Sequence, residues 1–162
     1  MHSWPKSARR VSLTQTEKWR LRGRTLEAMG WLCLARLIVA CAPFGSWRDR
    51  LGLSGVTIQD NTIEAQRLAQ HIERAAARLP FVLLCLPRAM ALSWLLRRRS
   101  IPHQLVMAAR PAAQRGGTDD LHAWIEVGGD IVLGALPGPW VETARYPSHP
   151  LPGSKIAQKP LN

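Results

Sequence analysis

A short apolar run, Phe81-Val82-Leu83-Leu84, leads through Cys85-Leu86-Pro87-Arg88 into Ala89-Met90-Ala91-Leu92-Ser93-Trp94-Leu95-Leu96 and closes on Arg97-Arg98-Arg99. Proline just inside the start, helix formers behind it and cations in the last turn predict one helix. Cys85 then sits at the lip of its N-terminus, where free backbone N–H groups and the positive end of the macrodipole favour a thiolate. A free cysteine is also among the most often buried residue types and commonly acts as a small hydrophobe. Residue type alone therefore does not make Cys85 a nucleophile.

The distinction lies downstream. Residues 103–109 have the length and apolar content of a strand, and residues 111–120 are a loop by composition, with Gly116 and Gly117 at its centre. Two extended runs, 121–127 and 130–133, then flank Gly128-Gly129, which is a strong hairpin signal. The first of them opens His122-Ala123-Trp124-Ile125-Glu126-Val127. One cysteine paired with a distant histidine is the sequence outline of a thiol nucleophile and its base.

The order Cys-Leu-Pro-Arg-Ala-x-Ala-Leu-x-x-Leu-Leu-Arg-Arg-Arg-x-Ile-Pro from Cys85 to Pro102, then His-Ala-Trp-Ile-Glu-Val-Gly-Gly from His122 to Gly129, resembles the transglutaminase-like leader peptidases of lasso peptide biosynthesis. The upstream Leu26-Glu27-Ala28-x-x-Trp31 extends the resemblance to about residues 25–136. In that family the peptidase half of the B protein is often a separate short chain. The resemblance implies an α+β fold with a papain-like or transglutaminase-like cysteine protease core, N-terminal helices preceding a small antiparallel sheet. It implies Cys85 as nucleophile, His122 as base and no cofactor. The implied partners are a precursor peptide, a small leader-recognition protein and an ATP-dependent lasso cyclase, with no nucleic acid among them.

Length and composition are compatible with this. A chain of 162 residues, 46% hydrophobic, is one folded domain by the size prior. The formal charge of +11 favours anionic partners without choosing among nucleic acid, a membrane surface and an acidic peptide. Cys33, Cys41 and Cys85 form no Cys-x-x-Cys pair and are odd in number, which points to a reducing compartment and a cytoplasmic protein. No uninterrupted apolar segment follows Arg9 and Arg10, against a secretory signal. His2, His71, His103, His122 and His149 are scattered without ligand spacing, so no metal site is expected.

The organisation expected is a basic, flexible arm over residues 1–24, a peptidase domain over 25–136 and a proline-rich, mostly irregular tail over 137–162. The arm is expected to turn helical near Thr16. Residues 26–44 are nearly all apolar and approach the length of a membrane span. Arg36 in their middle would cost about 2.5–3.5 kcal/mol at a bilayer centre, so a core helix is the better reading, with interfacial contact its alternative. Residues 56–58 are expected to be extended, Asp60 or Asn61 to cap a second helix, and His71 to lie on the surface or half-buried along it.

The family normally carries an aspartate on the strand after the histidine, which orients the imidazole, and here the pattern departs from it. A two-residue turn at Gly128-Gly129 sets Val127 against Asp130 and His122 against Ala135, and a three-residue turn brings Gly134 opposite instead. Neither is an acid. Asp130 is nearest in sequence but sits at the turn, several strand residues away, and Glu126 on the face of His122 fails by the same distance. Asp119, Asp120 or Glu142 folding back, or a backbone carbonyl, are the remaining candidates, and a Cys85–His122 dyad with a non-acidic orienter is expected. Trp124, two residues after the histidine, is a candidate wall of the substrate groove. Two other functions stay open: a catalytically silent basic module for peptide or nucleic acid, and an acyl-transfer or deamidating enzyme on the same fold.

Overall fold

The computed structural model describes residues 15–56, 59–117 and 120–147. Three helices, α1 (Gln15–Cys41), α2 (Gln59–Ala76) and α3 (Cys85–Arg98), come first. An antiparallel sheet of β1 (Gln104–Ala109), β2 (Leu121–Val127), β3 (Asp130–Leu133) and β4 (Val141–Tyr146) follows, in the order β3-β2-β1-β4. Helices followed by an antiparallel sheet is the α+β arrangement expected from sequence.

Helix α3 is central because it is apolar on nearly every side. Ala89, Met90, Ala91, Leu92, Leu95 and Leu96 are all buried, and its charges are confined to Arg88 and the C-terminal arginines. Burying each large aliphatic side chain contributes about 1.5–3 kcal/mol, so the sites where α1, α2 and β2 pack against α3 carry much of the stability. Helix α1 offers it Ala28, Leu32 and Ala35, and α2 offers Ala65, Leu68, Ile72 and Ala75. The spacing of three and four residues in both is that of a helix with one inward face. Ion pairs reinforce the crossings, with Glu27 on Arg99 at 3.3 Å and Glu73 on Arg88 at 3.2 Å. Among the described residues no helix is long and apolar enough to cross a membrane.

Several local expectations change. Helix α2 begins at Gln59, which places Asp60 inside the first turn, where its charge complements the macrodipole, rather than at the cap. His71 is buried, not half-exposed, because α1 crosses α2 at this point. The Thr25 hydroxyl donates to the Leu21 carbonyl and its oxygen lies 3.4 Å from His71 Nδ1. Burial, aided by Arg74 and Arg24, lowers the pKa of His71. Val56 is described without regular structure, and the rest of the short extended piece expected there, residues 57–58, lies outside the described residues. So do residues 1–14 and 148–162; helix α1 starts at Gln15, next to Thr16, where the arm is expected to turn helical. The segment 137–147 contains β4, which pairs with β1. Flanking prolines mask the strand in the sequence, while the unpaired edge of β1 supplies the hydrogen bonds that form it.

Behind the sheet, Gly52 is a junction. Its N–H donates to Ser93 Oγ at 3.0 Å, the Ser93 oxygen lies 2.8 Å from His103 Nε2, and His103 Nδ1 donates to the Ile101 carbonyl at 2.8 Å. Arg97 donates to the Gly52 carbonyl at 2.9 Å. Ser93 and His103 are 0% and 3% exposed, so this serine–histidine pair ties α3 to β1 and has no access to substrate. Burial holds the His103 imidazole down at a pKa of about 4.

Candidate active site

Cys85 is the first residue of α3. Leu83 is buried and anchors the approach, Leu84 is extended at φ −72° and ψ 170°, and no side chain caps the helix. The N–H groups of an uncapped first turn have no intrahelical partner. Pro87, at the third helical position, has no N–H to contribute, so the open donors beside the sulfur are those of Cys85 and Leu86. The thiol is partly exposed, and Sγ lies 3.9 Å from the carbonyl oxygen of Leu121.

Leu121 begins β2, and the next residue is His122. Alternation sends Ala123, Ile125 and Val127 into the core and puts His122, Trp124 and Glu126 together on the other face. The imidazole Nε2 lies 2.7 Å from the carbonyl oxygen of Gly134. A carbonyl only accepts, so Nε2 carries the hydrogen and the neutral ring has its lone pair on Nδ1. Trp140 packs against the ring at 5.1 Å between centroids, tilted 31°, with Trp124 at 6.0 Å and the same tilt. The Arg110 guanidinium lies 4.7 Å from the Trp140 ring centre, and Trp140 Nε1 donates to the Leu136 carbonyl at 3.1 Å.

The hairpin register explains why Gly134 is within reach. The turn is the two-residue one, with Val127 opposite Asp130 and Glu126 opposite Ile131. A bulge then sets Ile125 against Leu133 rather than the residue before it, and the chain leaves the ladder at Gly134. Gly134 has φ +81°, and a Cβ there would lie 2.9 Å from the Ala123 carbonyl oxygen. Only glycine follows this path without strain, and the path is what brings its carbonyl to the ring.

The acids near the site are engaged elsewhere. Asp120 accepts from the N–H groups of Gly116 and Gly117 at 2.9 and 3.3 Å. Glu142 and Glu126 share Arg145 at 2.7 and 2.6 Å, and Glu126 also accepts from Trp124 Nε1 at 2.7 Å. The paired carboxylates raise the pKa of Arg145, holding it firmly charged. Asp130 is exposed at the turn, and Asp119 lies outside the described residues. Cys85, His122 and Asp120 line one groove of about 900 Å³, walled by apolar side chains that include Leu84, Met107, Leu121, Leu136 and Trp140. No hydrogen bond joins Sγ to the imidazole: the thiol is directed at the Leu121 carbonyl and the ring at that of Gly134. Among the described residues no group of three His, Cys, Asp or Glu could hold a metal.

The family model of the transglutaminase-like superfamily matches residues 31–146, a span that includes both Cys85 and His122. The chain belongs to the transglutaminase-like superfamily. No curated protein and no solved structure gives a match. The superfamily match runs through β4, so that strand is part of the domain and lies beyond the boundary expected at residue 136. Two residues of this transglutaminase-like site were not singled out in the sequence for the parts they play. The Gly134 carbonyl follows from a bulge that residue types do not announce. Trp140 sits in a proline-rich stretch, where only its indole marked it as a residue to place.

Proposed function

We propose that the protein is a cysteine peptidase that removes the leader from a ribosomally synthesised lasso peptide precursor. The observation that carries the reading is the convergence of Cys85, at an uncapped helix start, and His122, on a strand end, upon one apolar groove. Extended peptide fits such a groove, which offers many apolar contacts and few polar ones.

In this mechanism the Cys85 sulfur attacks the scissile carbonyl carbon and its proton passes to Nδ1 of His122. The N–H groups of Cys85 and Leu86 hold the oxyanion. Collapse expels the leaving amine, which takes the proton from the imidazole, and leaves an acyl-thioester on Cys85. Water attacks the thioester with His122 as base, and the carboxylate product departs as the thiol is restored. The Gly134 carbonyl fixes the tautomer throughout, the part an aspartate plays in acid-bearing triads. A carbonyl supplies no full charge, so a modest rate is expected. A separate small leader-recognition protein presents the precursor, and an ATP-dependent cyclase consumes the product. Both partners rest on the family resemblance.

Mass spectrometry of a precursor peptide incubated with the recognition protein and with native, Cys85→Ala or His122→Ala chain tests the proposal. Cleavage at one bond by the native chain, and none by Cys85→Ala, is expected. Amine adducts in place of hydrolysis would assign acyl transfer instead. Salt-sensitive binding with no cleavage, equal in the Cys85→Ala chain, would assign a silent binding module.

A further inference from the structure

The groove beside Cys85 is apolar over most of its wall, and its charged residues are segregated. Arg36 of α1, Glu73 of α2 and Arg88 of α3 stand on the helical wall. Asp120 belongs to the strand side, where its carboxylate already accepts from the N–H groups of Gly116 and Gly117. On the helical wall two guanidinium groups therefore stand against one carboxylate.

The fold leaves both of them short of acceptors. Glu73 reaches a single terminal nitrogen of Arg88, at 3.2 Å, and Nε of the same fork is buried without a hydrogen-bond partner. An orphaned donor of that kind is uncommon. An ion pair whose members are 34% and 49% exposed is weak enough for a second carboxylate to compete. Arg36 has no carboxylate partner among the described residues. It is exposed but not loose: its guanidinium lies 5.0 Å from the Phe81 ring centre, and Nη1 donates to the Val82 carbonyl at 3.4 Å. Those contacts hold the charge beside the segment that leads into Cys85, so less side-chain entropy is lost on binding.

Arg88 follows Cys85 by three residues on one helix, which puts their Cβ atoms about 5–6 Å apart on the same face. Extended peptide advances about 3.3 Å per residue, so a side chain received on this wall belongs within about three residues of the bond that Cys85 attacks. We propose that the helical wall is a subsite for an acidic side chain of the substrate peptide, an Asp or Glu whose carboxylate is taken by Arg36 and Arg88. Guanidinium forks match a carboxylate in shape as well as charge, and the apolar surroundings strengthen the pairing. A substrate lysine at the same place meets two cations, which gives the groove a selection against it. The subsite rests on the peptidase reading for the reaction it serves, whereas its binding is measured without turnover.

The probe is a short fluorescent peptide of alanine, leucine and serine in which Glu, Gln or Lys visits each position in turn, and anisotropy with the full Cys85→Ala chain reads its affinity. At one position Glu should bind about 5- to 20-fold tighter than Gln, and Lys weaker than both, an advantage that shrinks as salt rises from about 50 to about 500 mM. Arg36→Gln and Arg88→Gln should each lower that Glu-to-Gln ratio about threefold or more. The ratio is taken within one variant, so a groove merely deformed by the substitution weakens both peptides and leaves it unchanged. Arg36→Lys, which keeps the charge, should retain most of it, and Arg36→Glu should turn the preference toward Lys. Arg78→Gln, exposed and outside the groove, should leave it as it was.

No peptide bound up to about 1 mM, equal binding of Glu and Gln peptides at every position, or ratios untouched by the Arg36 and Arg88 variants would overturn the subsite. So would a Glu advantage spread evenly along the peptide, which general attraction to a chain of charge +11 would produce. Cleavage of the same peptides by the native chain separates the two readings. A positional Glu preference in binding with no peptide cut would keep the subsite and remove the peptidase. Cleavage with equal kcat/KM for Glu and Gln peptides at every position would do the reverse.

Discussion

The Nε2–H of His122 donates to the main-chain carbonyl of Gly134 at 2.7 Å, and Gly134 reaches that point only at φ +81°. Any Cβ at this position comes 2.9 Å from the Ala123 oxygen and 3.2 Å from Trp124 Cα, both backbone atoms that give way only by moving the strand. Gly134→Ala should therefore cost about 1–3 kcal/mol of stability and, by swinging the carbonyl, lower kcat about 10- to 100-fold with less change in KM. Gly134→Asp should not rescue it, because the acid would bring the same clash. Urea unfolding and steady-state cleavage measure the two effects, and an unimpaired Gly134→Asp enzyme would show that the carbonyl does no orienting.

Trp140 packs against the imidazole at 5.1 Å while Arg110 and the Leu136 carbonyl hold it in place. In the proposed mechanism His122 takes the proton from the thiol and becomes a cation beside an aromatic ring. Such contacts contribute about 0.5–2 kcal/mol, which corresponds to roughly 2- to 30-fold in rate. Trp140→Leu should lower kcat within that range, and Trp140→Phe, which keeps a ring face, should retain most of it. Equal loss in both variants would mean that the indole only walls the groove.

How much of this could be read beforehand depended on the kind of signal. Helix α3 was legible because the proline near its start, its apolar body and its terminal arginines agree, and the β2–β3 hairpin because Gly128-Gly129 demands a tight turn. The absence of an acid opposite His122 was legible too, since residue types at strand positions are countable. The bulge between Ile125 and Glu126 was not, for it depends on how β3 packs rather than on which residues it contains. Strand β4 was hidden by the prolines around it, and the burial of His71 by its dependence on where α1 crosses. Long-range contacts of that kind leave no local trace.

Gly52 binds Ser93 through its N–H and Arg97 through its carbonyl, at φ +69°. A Cβ here would lie 2.2 Å from the Tyr146 oxygen and 2.3 Å from Pro147 Cδ. Gly52→Ala should destabilise the fold by more than about 3 kcal/mol, through strain and loss of both hydrogen bonds. Ser93→Ala, which removes one hydroxyl and keeps the backbone path, should cost about 1–3 kcal/mol. Thermal or urea unfolding ranks the two, and the reverse order would mean that β4 yields easily at this contact.

His103 gives the fold a pH dependence of definite sign. Its pKa falls from the ordinary 6.5 to about 4 on folding, because burial penalises the imidazolium and Arg97 adds to the effect. Between those values the unfolded chain binds a proton that the folded chain refuses, so stability is full above about pH 6.5 and declines as pH falls toward 4. The loss over that window is on the order of 3 kcal/mol, to which His71 adds in the same direction. Below pH 4 the folded state binds the proton as well and this contribution levels off. Urea midpoints from pH 7.5 down to 4 should show the decline. His103→Gln should be less stable at neutral pH, because it loses the fitted hydrogen bonds to Ser93 and Ile101, yet its stability should change less across the window. A His103→Gln profile as steep as that of the native chain would place the proton uptake on other groups.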